Sequence, residues 1–126
     1  LVRMRSADAL EKISAEHPEY LQPFKNRLIN EVCRIEQQEV RWHVAQMFSY
    51  LDVSDTERGE IARRLFSYLD TDRSRIVKVF SLQTLADFAE RDEALKARVV
   101  SRLKEMVNSG SPALVSRAKK LLVRLS

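Results

Sequence analysis

The sequence predicts an all-α fold, and three observations support that prediction. Apolar residues recur at helical spacing along nearly the whole chain of 126 residues, with short interruptions. The chain contains only 2 glycines and 3 prolines, too few for the frequent turns of a β-sandwich or barrel. Because 44% of the residues are apolar, a single domain of this length can bury a core.

Helical periodicity predicts seven helices joined by tight turns. They are expected at residues 1–16, 18–34, 37–51, 55–69, 73–90, 92–108 and 112–125. Pro18 lies near a predicted helix start, and Ser54 and Asp72 are expected as N-caps. Glu57 follows Ser54 at the spacing of a capping box. Residues 109–112, Ser-Gly-Ser-Pro, combine a helix terminator with the start of the last helix.

The predicted helices repeat with a period of 37 to 38 residues. In the odd-numbered helices the apolar columns are Val2/Val40/Val77/Leu114, Leu10/Phe48/Leu85/Leu122 and Ile13/Leu51/Phe88/Leu125, and a column of smaller residues is Ser6/Val44/Ser81/Ala118. The even-numbered helices repeat independently, with the columns Phe24/Ile61/Val99, Leu28/Leu65/Leu103 and Val32/Leu69/Val107. A single helical hairpin cannot bury its apolar face alone, so each copy is expected to stack on the next. The pattern predicts an α-solenoid.

One five-residue sequence occurs twice. Residues 48–52 and 66–70 both have the sequence Phe-Ser-Tyr-Leu-Asp. Each copy falls at the end of a predicted helix, so two packed helix ends are expected here rather than a recognition motif.

A basic residue follows a valine at equivalent positions of the odd-numbered helices. Arg3 and Arg41 each follow a valine, Lys78 follows Val77, and Asp72 lies five residues before Val77. With the period, these residues make the whole chain resemble the HEAT family of helical repeats. The resemblance implies a right-handed α-solenoid of about three and a half repeats, in which Arg3, Arg41, Asp72 and Lys78 form a structural ladder. It implies one domain over residues 1–126, compatible with a fragment of a longer array, and it specifies no function.

The net charge of +4 arises at one end of the chain. Residues 109–126 contain no acid and four cations, which are Arg117, Lys119, Lys120 and Arg124. The last predicted helix is therefore basic and amphipathic, with Arg117, Lys120 and Arg124 beside its apolar face. Two interpretations remain open: a solvated cap that closes the stack, and an anion-binding surface.

Arginines also recur in the even-numbered helices. Arg27, Arg64 and Arg102 occupy equivalent positions, and Arg63 and Arg98 would widen the set. Stacked repeats would place these guanidinium groups along one surface, able to bind phosphates or an acidic peptide. The alternative is pairing with acids, for which the candidates are Glu31, Glu60 and Glu105.

No catalytic, metal or cofactor motif is evident in the sequence. Cys33 has no neighbouring histidine, and together with His17 and His43 it is too scattered for a zinc site. Gly59 and Gly110 stand alone, which excludes a phosphate-binding glycine-rich loop. A single cysteine is typical of a reducing compartment, so a cytoplasmic location is expected. No apolar run is long enough to span a membrane.

These features favour a non-enzymatic binding or scaffold module that docks a protein or peptide on the even-helix surface. Nucleic-acid binding through the arginines and the basic last helix is the alternative. A third interpretation follows from resemblance, because some bacterial alkylation-repair DNA glycosylases consist of HEAT-like repeats and place aromatic side chains beside a carboxylate. Here Trp42 is the only tryptophan, and Met4 and Val79 share its column, which favours packing. The oligomeric state is left open.

Overall fold

The computed structural model describes residues 9, 12–13, 15–35 and 38–126, and all regular secondary structure within them is helical. The α-helices are α1 (Lys25–Asn30), α2 (Gln38–Met47), α3 (Asp55–Thr71), α4 (Arg75–Ala89), α5 (Glu93–Ser109) and α6 (Pro112–Leu125). Short 3-10 helices span Pro18–Tyr20, Gln22–Phe24, Val32–Arg34 and Phe48–Tyr50. Over these same residues, no helix combines the length and the apolar character needed to cross a membrane.

The predicted count of seven helices is wrong, because the described residues form six α-helices. The first predicted helix, 1–16, lies mostly outside the described residues. The second, 18–34, is not continuous and consists of 3-10 helices around the short α1. Pro18 and Pro23 each lie at the start of a 3-10 helix, where the missing amide hydrogen costs no bond. The prolines thereby divide this segment into short turns.

Local capping groups set the starts of the long helices. The predicted capping box of α3 is confirmed: the Ser54 hydroxyl accepts from the Glu57 amide at 3.2 Å, and the Glu57 carboxylate accepts from the Ser54 amide at 2.9 Å. Ser111 is the N-cap of α6, and Pro112 is its first residue. Both starts are as the sequence predicts.

Asp72 is not the N-cap that the sequence suggests. It is the C-cap residue of α3, and Ser74 is the N-cap of α4. The Asp72 carboxylate accepts from the Ser74 amide at 2.8 Å and from Arg41 Nη1 at 2.8 Å. Asp72 therefore closes the turn between α3 and α4 and ties it to α2.

Helix α4 lies at the centre of the molecule and packs against α2, α3, α5 and α6. Its two buried hydroxyl groups both have hydrogen-bond acceptors. Thr84 Oγ1 donates to the Ala45 carbonyl of α2 at 2.5 Å, and Ser81 Oγ donates to the Val77 carbonyl at 2.7 Å. These bonds compensate the cost of burying polar groups.

Most of the predicted repeat columns lie in the core where they are described. Buried members are Leu28, Val40, Val44, Phe48, Leu51, Ile61, Leu65, Leu69, Val77, Ser81, Leu85, Phe88, Val99, Leu103, Leu114, Ala118 and Leu125. Ile13 and Phe24 are about half exposed, contrary to their predicted core positions. Val2, Ser6 and Leu10 lie outside the described residues.

Helices α3 and α5 both pack against α4 but have few close backbone contacts with each other. The backbone of α4 packs closely against α2 and against α6, whereas α3 and α5 do not pack backbone to backbone. Long side chains join α3 to α5 instead: Arg58 Nη1 lies 3.5 Å from Asp92 Oδ2, and Arg102 Nη1 lies 2.6 Å from Asp70 Oδ1. A cleft therefore runs between α3 and α5.

Candidate binding clefts beside helix α3

Helix α3 contributes side chains to two clefts, one on each flank of its exposed face. Ile61, Leu65 and Leu69 form its buried stripe. Since consecutive helical residues are rotated by about 100°, Arg64 and Phe66 turn away from Leu65 in opposite directions. Arg64 lines one cleft and Phe66 lines the other.

The first cleft, here the Phe66 groove, lies between α3 and α5 and has a volume of about 520 Å³. Its lining residues are Phe66, Asp70, Ala97, Arg98, Ser101, Arg102 and Glu105. The Arg98 guanidinium lies 4.8 Å from the Phe66 ring centroid, and that of Arg102 lies 5.5 Å from it. Both distances are within the range of cation–π attraction. The groove therefore combines an aromatic surface with two guanidinium groups.

The two arginines of the Phe66 groove differ in their electrostatic partners. Arg102 pairs with Asp70 at 2.6 Å and more loosely with Glu105, whose Oε2 lies 3.7 Å from Arg102 Nε. Arg98 is exposed and has no acidic partner among the described residues. Arg98 is therefore the cation in this groove that remains able to bind an external anion.

The second cleft, here the arginine pocket, has a volume of about 270 Å³. Its lining residues are Arg34, Arg41, Arg63, Arg64, Ser67, Tyr68 and Thr71. They come from the 3-10 helix after α1, from α2 and from α3. Four guanidinium groups thus converge from three elements.

Arg41 is held firmly within this pocket. It pairs with Asp72, donates from Nε to the Ile35 carbonyl at 3.2 Å, and lies 4.9 Å from the Tyr68 ring centroid. Arg41 and Asp72 are two of the expected ladder residues. Of the other two, Lys78 is half-buried on α4, and Arg3 lies outside the described residues.

The remaining three arginines of the pocket are less constrained. Arg63 donates to Glu60 at 2.9 Å, and this hydrogen bond holds the pKa of the Glu60 carboxyl below its ordinary value. Arg34 and Arg64 form no ion pair among the described residues, although the positive charge of Arg64 also lowers the pKa of the Glu60 carboxyl. Arg64 Nε is buried and has no hydrogen-bond acceptor within the described parts of the chain, which is uncommon for a buried donor. The described side chains of the pocket therefore carry uncompensated positive charge.

The arginines predicted to form one line occupy different environments. Arg27 is exposed on α1 and lines neither cleft, Arg64 lies in the arginine pocket, and Arg102 lies in the Phe66 groove. Of the two flanking residues, Arg63 belongs to the arginine pocket and Arg98 to the groove. Pairing of Arg102 and Arg63 with acids interrupts the positive surface between these sites.

Some basic residues of α6 contact other side chains, and others are exposed to solvent. Arg124 bonds to Asp87 at 2.6 Å and to Glu90 at 2.5 Å, both on the α4 side. The hydrogen bond from Arg124 lowers the pKa of Glu90, and the bonds to Glu90 and Asp87 raise the pKa of Arg124. Arg117 Nη1 lies 3.4 Å from Gln83 Oε1, and Lys120 is exposed.

Sequence reasoning missed Arg34 and Phe66 as candidate site residues. The repeat contained a signal for the first, because Arg34 and Thr71 lie 37 residues apart, like Arg27 and Arg64, and both line the arginine pocket. No comparable signal exists for Phe66, since its exposure depends on the spacing of α3 and α5.

The two histidines lie in different environments. His17 Nδ1 lies 3.2 Å from Glu19 Oε1 at the surface, whereas His43 is buried with its ring stacked on Trp42. In the part of the chain that the structure describes, no three His, Cys, Asp or Glu side chains are grouped as metal ligands.

The chain matches no protein-family model, and comparisons with curated proteins and with solved structures also give no match.

Proposed function

We propose that this protein is a non-enzymatic, HEAT-like helical-repeat domain that docks a protein partner on its α3/α5 face. The row of α2, α4 and α6, with α3 and α5 beside it, supports a stack of hairpins with the sequence period of 37 to 38 residues. The bond between Arg41 and Asp72 supports the same arrangement, because it joins residues of successive repeats. Function then depends on the side chains that the stack exposes.

The Phe66 groove is the observation that carries the docking proposal. Phe66 is half-buried beneath Arg98 and Arg102 in an open cleft. Aromatic residues and arginines are enriched among the residues that dominate binding energy at protein interfaces. A groove between two helices also offers a preformed surface, which lowers the entropy cost of binding.

The chemistry of the groove specifies its occupant. An apolar side chain of the partner would cover Phe66, and a neighbouring carboxylate would pair with Arg98, which lacks an acidic partner. Arg102 is already compensated by Asp70 and would contribute mainly through its stem. The partner is therefore a protein segment in which an acidic residue accompanies an apolar one.

Nucleic-acid binding has less support. A phosphate backbone is bound by a continuous track of cations, whereas Arg102 and Arg124 are paired with acids. The glycosylase alternative would give Trp42, the only tryptophan of the sequence, a role in a concave site. Trp42 instead stacks on His43 and Phe80, with ring centroids 3.6 Å and 5.1 Å apart. We therefore favour protein docking over both alternatives.

Selection from a random peptide library provides the test. We expect enrichment of peptides that place Asp or Glu beside a large apolar residue, with binding weakened about tenfold or more by Arg98→Ala and by Phe66→Ala. Lys104→Ala removes a cation from the same helix outside both clefts and should leave affinity unchanged. Circular dichroism melts check that each variant remains folded.

Two results would contradict the docking proposal. One is binding of selected peptides that is insensitive to both Arg98→Ala and Phe66→Ala. The other is tight binding of duplex DNA or RNA that falls steeply with salt, which would favour the nucleic-acid alternative.

A further inference from the structure

We propose that the arginine pocket binds a phosphate monoester dianion, independently of docking in the Phe66 groove. Arg34, Arg41, Arg63 and Arg64 converge on this pocket from three elements of the fold. The planar guanidinium fork matches the oxygen atoms of a phosphate group and donates charged hydrogen bonds to two of them at once. Such a cluster is chemically suited to a compact anion with several acceptor oxygens.

The charge balance of the pocket selects a dianion. Asp72 compensates Arg41 at 2.8 Å, and Glu60 compensates Arg63 at 2.9 Å. Arg34 and Arg64 form no ion pair among the described residues, although Glu60 also interacts electrostatically with Arg64. Four arginines and two carboxylates therefore leave two positive charges in the described part of the pocket. A phosphate monoester carries about −1.5 to −2 near neutral pH, which matches these two charges. A backbone phosphodiester carries only one negative charge.

Arg41 adds no net charge to the pocket, because Asp72 compensates it, but its position is fixed by its contacts. Arg41 is fixed by Asp72, by the Ile35 carbonyl and by the ring of Tyr68. A guanidinium held in this way loses little conformational entropy when an anion binds. Arg41 therefore provides a guanidinium group of fixed position beside those of Arg34 and Arg64.

The unsatisfied Nε–H of Arg64 is a second, independent observation. It is buried, and no group of the described residues accepts from it, although a buried donor without an acceptor costs free energy. A small rotation of the Arg64 side chain would direct Nε and one Nη toward the same anion. Binding of phosphate would thereby satisfy a donor for which the described part of the chain supplies no acceptor.

The size and surroundings of the pocket favour a single phosphate group over a polyanion. Its volume of about 270 Å³ has room for a tetrahedral phosphate with several waters, each of which occupies roughly 30 Å³. Beyond the pocket, Glu60 and Asp70 interrupt the positive surface of α3. A nucleic-acid backbone that continued past the pocket would meet these carboxylates.

Arginine side-chain NMR spectroscopy gives a direct test with inorganic phosphate as the probe. At about pH 7.5 we expect saturable shifts of the Arg64 Nε–H resonance, and weaker binding in mildly acidic solution, where the monoanion of inorganic phosphate predominates over the dianion. Arg34→Ala and Arg64→Ala should each weaken binding about tenfold or more. Lys119→Ala, which removes an exposed cation on α6, should change binding less than about twofold.

Further probes identify the source of the phosphate group. Phosphoserine amide represents a phosphorylated protein side chain, and glucose 6-phosphate represents a small phosphorylated molecule. Preferential binding of either one supports the proposal and assigns its source. These titrations involve neither Phe66 nor Arg98, so their failure would leave the docking proposal intact.

Three results would overturn the proposal. The first is an Arg64 resonance that does not respond to phosphate. The second is a response that is unchanged by Arg34→Ala, which would indicate nonspecific charge screening. The third is tighter binding of a single-stranded oligonucleotide without terminal phosphates than of any monoester, because a polynucleotide would then be the ligand.

Discussion

At the scale of single residues, the buried hydroxyl of Thr84 joins two helices. It donates to the Ala45 carbonyl at 2.5 Å and is almost completely shielded from water. Thr84→Val keeps the shape but removes the hydrogen bond, so we expect the free energy of unfolding to fall by about 1 kcal/mol. Urea unfolding monitored by circular dichroism measures the change. The exposed Thr56→Val serves as the control, and an equal effect of both substitutions would contradict this prediction.

The conformation and exposure of single residues were only partly predictable from the sequence. The sequence Phe-Ser-Tyr-Leu-Asp adopts a 3-10 helix and an extended residue at positions 48–52, but α-helix at 66–70. Phe48 is fully buried, whereas Phe66 is only half-buried beside Arg98. Identical local sequence therefore yields different exposure, because exposure depends on which helices pack nearby. Helical periodicity identifies the buried face of a helix, but it cannot identify an open cleft beside that face.

At the scale of helices, the start of α3 depends on one reciprocal cap. Ser54→Ala removes the acceptor of the Glu57 amide, and we expect it to lower the free energy of unfolding by about 1 kcal/mol. Ser54→Asp should retain most of the stability, because Asp also caps well. Ser116→Ala, an exposed substitution within α6, controls for the loss of a hydroxyl. Thermal melts that rank Ser54→Ala with Ser116→Ala would refute the role assigned to the cap.

Helix boundaries were predictable wherever local chemistry sets them. Ser54 and Ser111 begin helices as predicted, since each cap requires only residues within one turn. The segment 18–34 was predicted wrongly, because its apolar spacing suggests one helix while its prolines favour short turns. Asp72 was also misassigned, because its carboxylate serves Arg41 of another helix. The position of that partner is a property of the tertiary fold.

At the scale of the whole molecule, the repeat period located most of the core but not the clefts. Columns at 37 to 38 residues place Val44, Ser81 and Ala118 in the core. The separation of α3 from α5, which opens the Phe66 groove, leaves no trace in that pattern. The net charge of the sequence was also a poor guide to which cations are free to bind an anion. The +4 was traced correctly to the last helix, yet Arg124 is compensated by Asp87 and Glu90.

Acid should weaken the contact that holds α6 against α4. The hydrogen bond from Arg124 lowers the pKa of Glu90 in the folded protein, so Glu90 stabilises the fold at pH values above its unfolded pKa of about 4.3. As the pH falls through that value toward the lower folded pKa, the unfolded chain binds the proton first and this stabilisation is lost. Glu90→Gln should therefore be less stable than wild type at neutral pH, with the difference vanishing in acid.

Urea unfolding of both proteins across this pH range measures the difference. Glu31→Gln provides the control, because Glu31 is exposed and has no ion pair among the described residues. Its effect on the free energy of unfolding should be small, because it breaks no ion pair among the described residues. High salt should reduce the effect of Glu90→Gln only in part, since the bonds from Arg124 to Glu90 and Asp87 are direct contacts at 2.5 and 2.6 Å. A difference between Glu90→Gln and wild type that persists unchanged in acid would show that Glu90 acts through packing rather than through its charge.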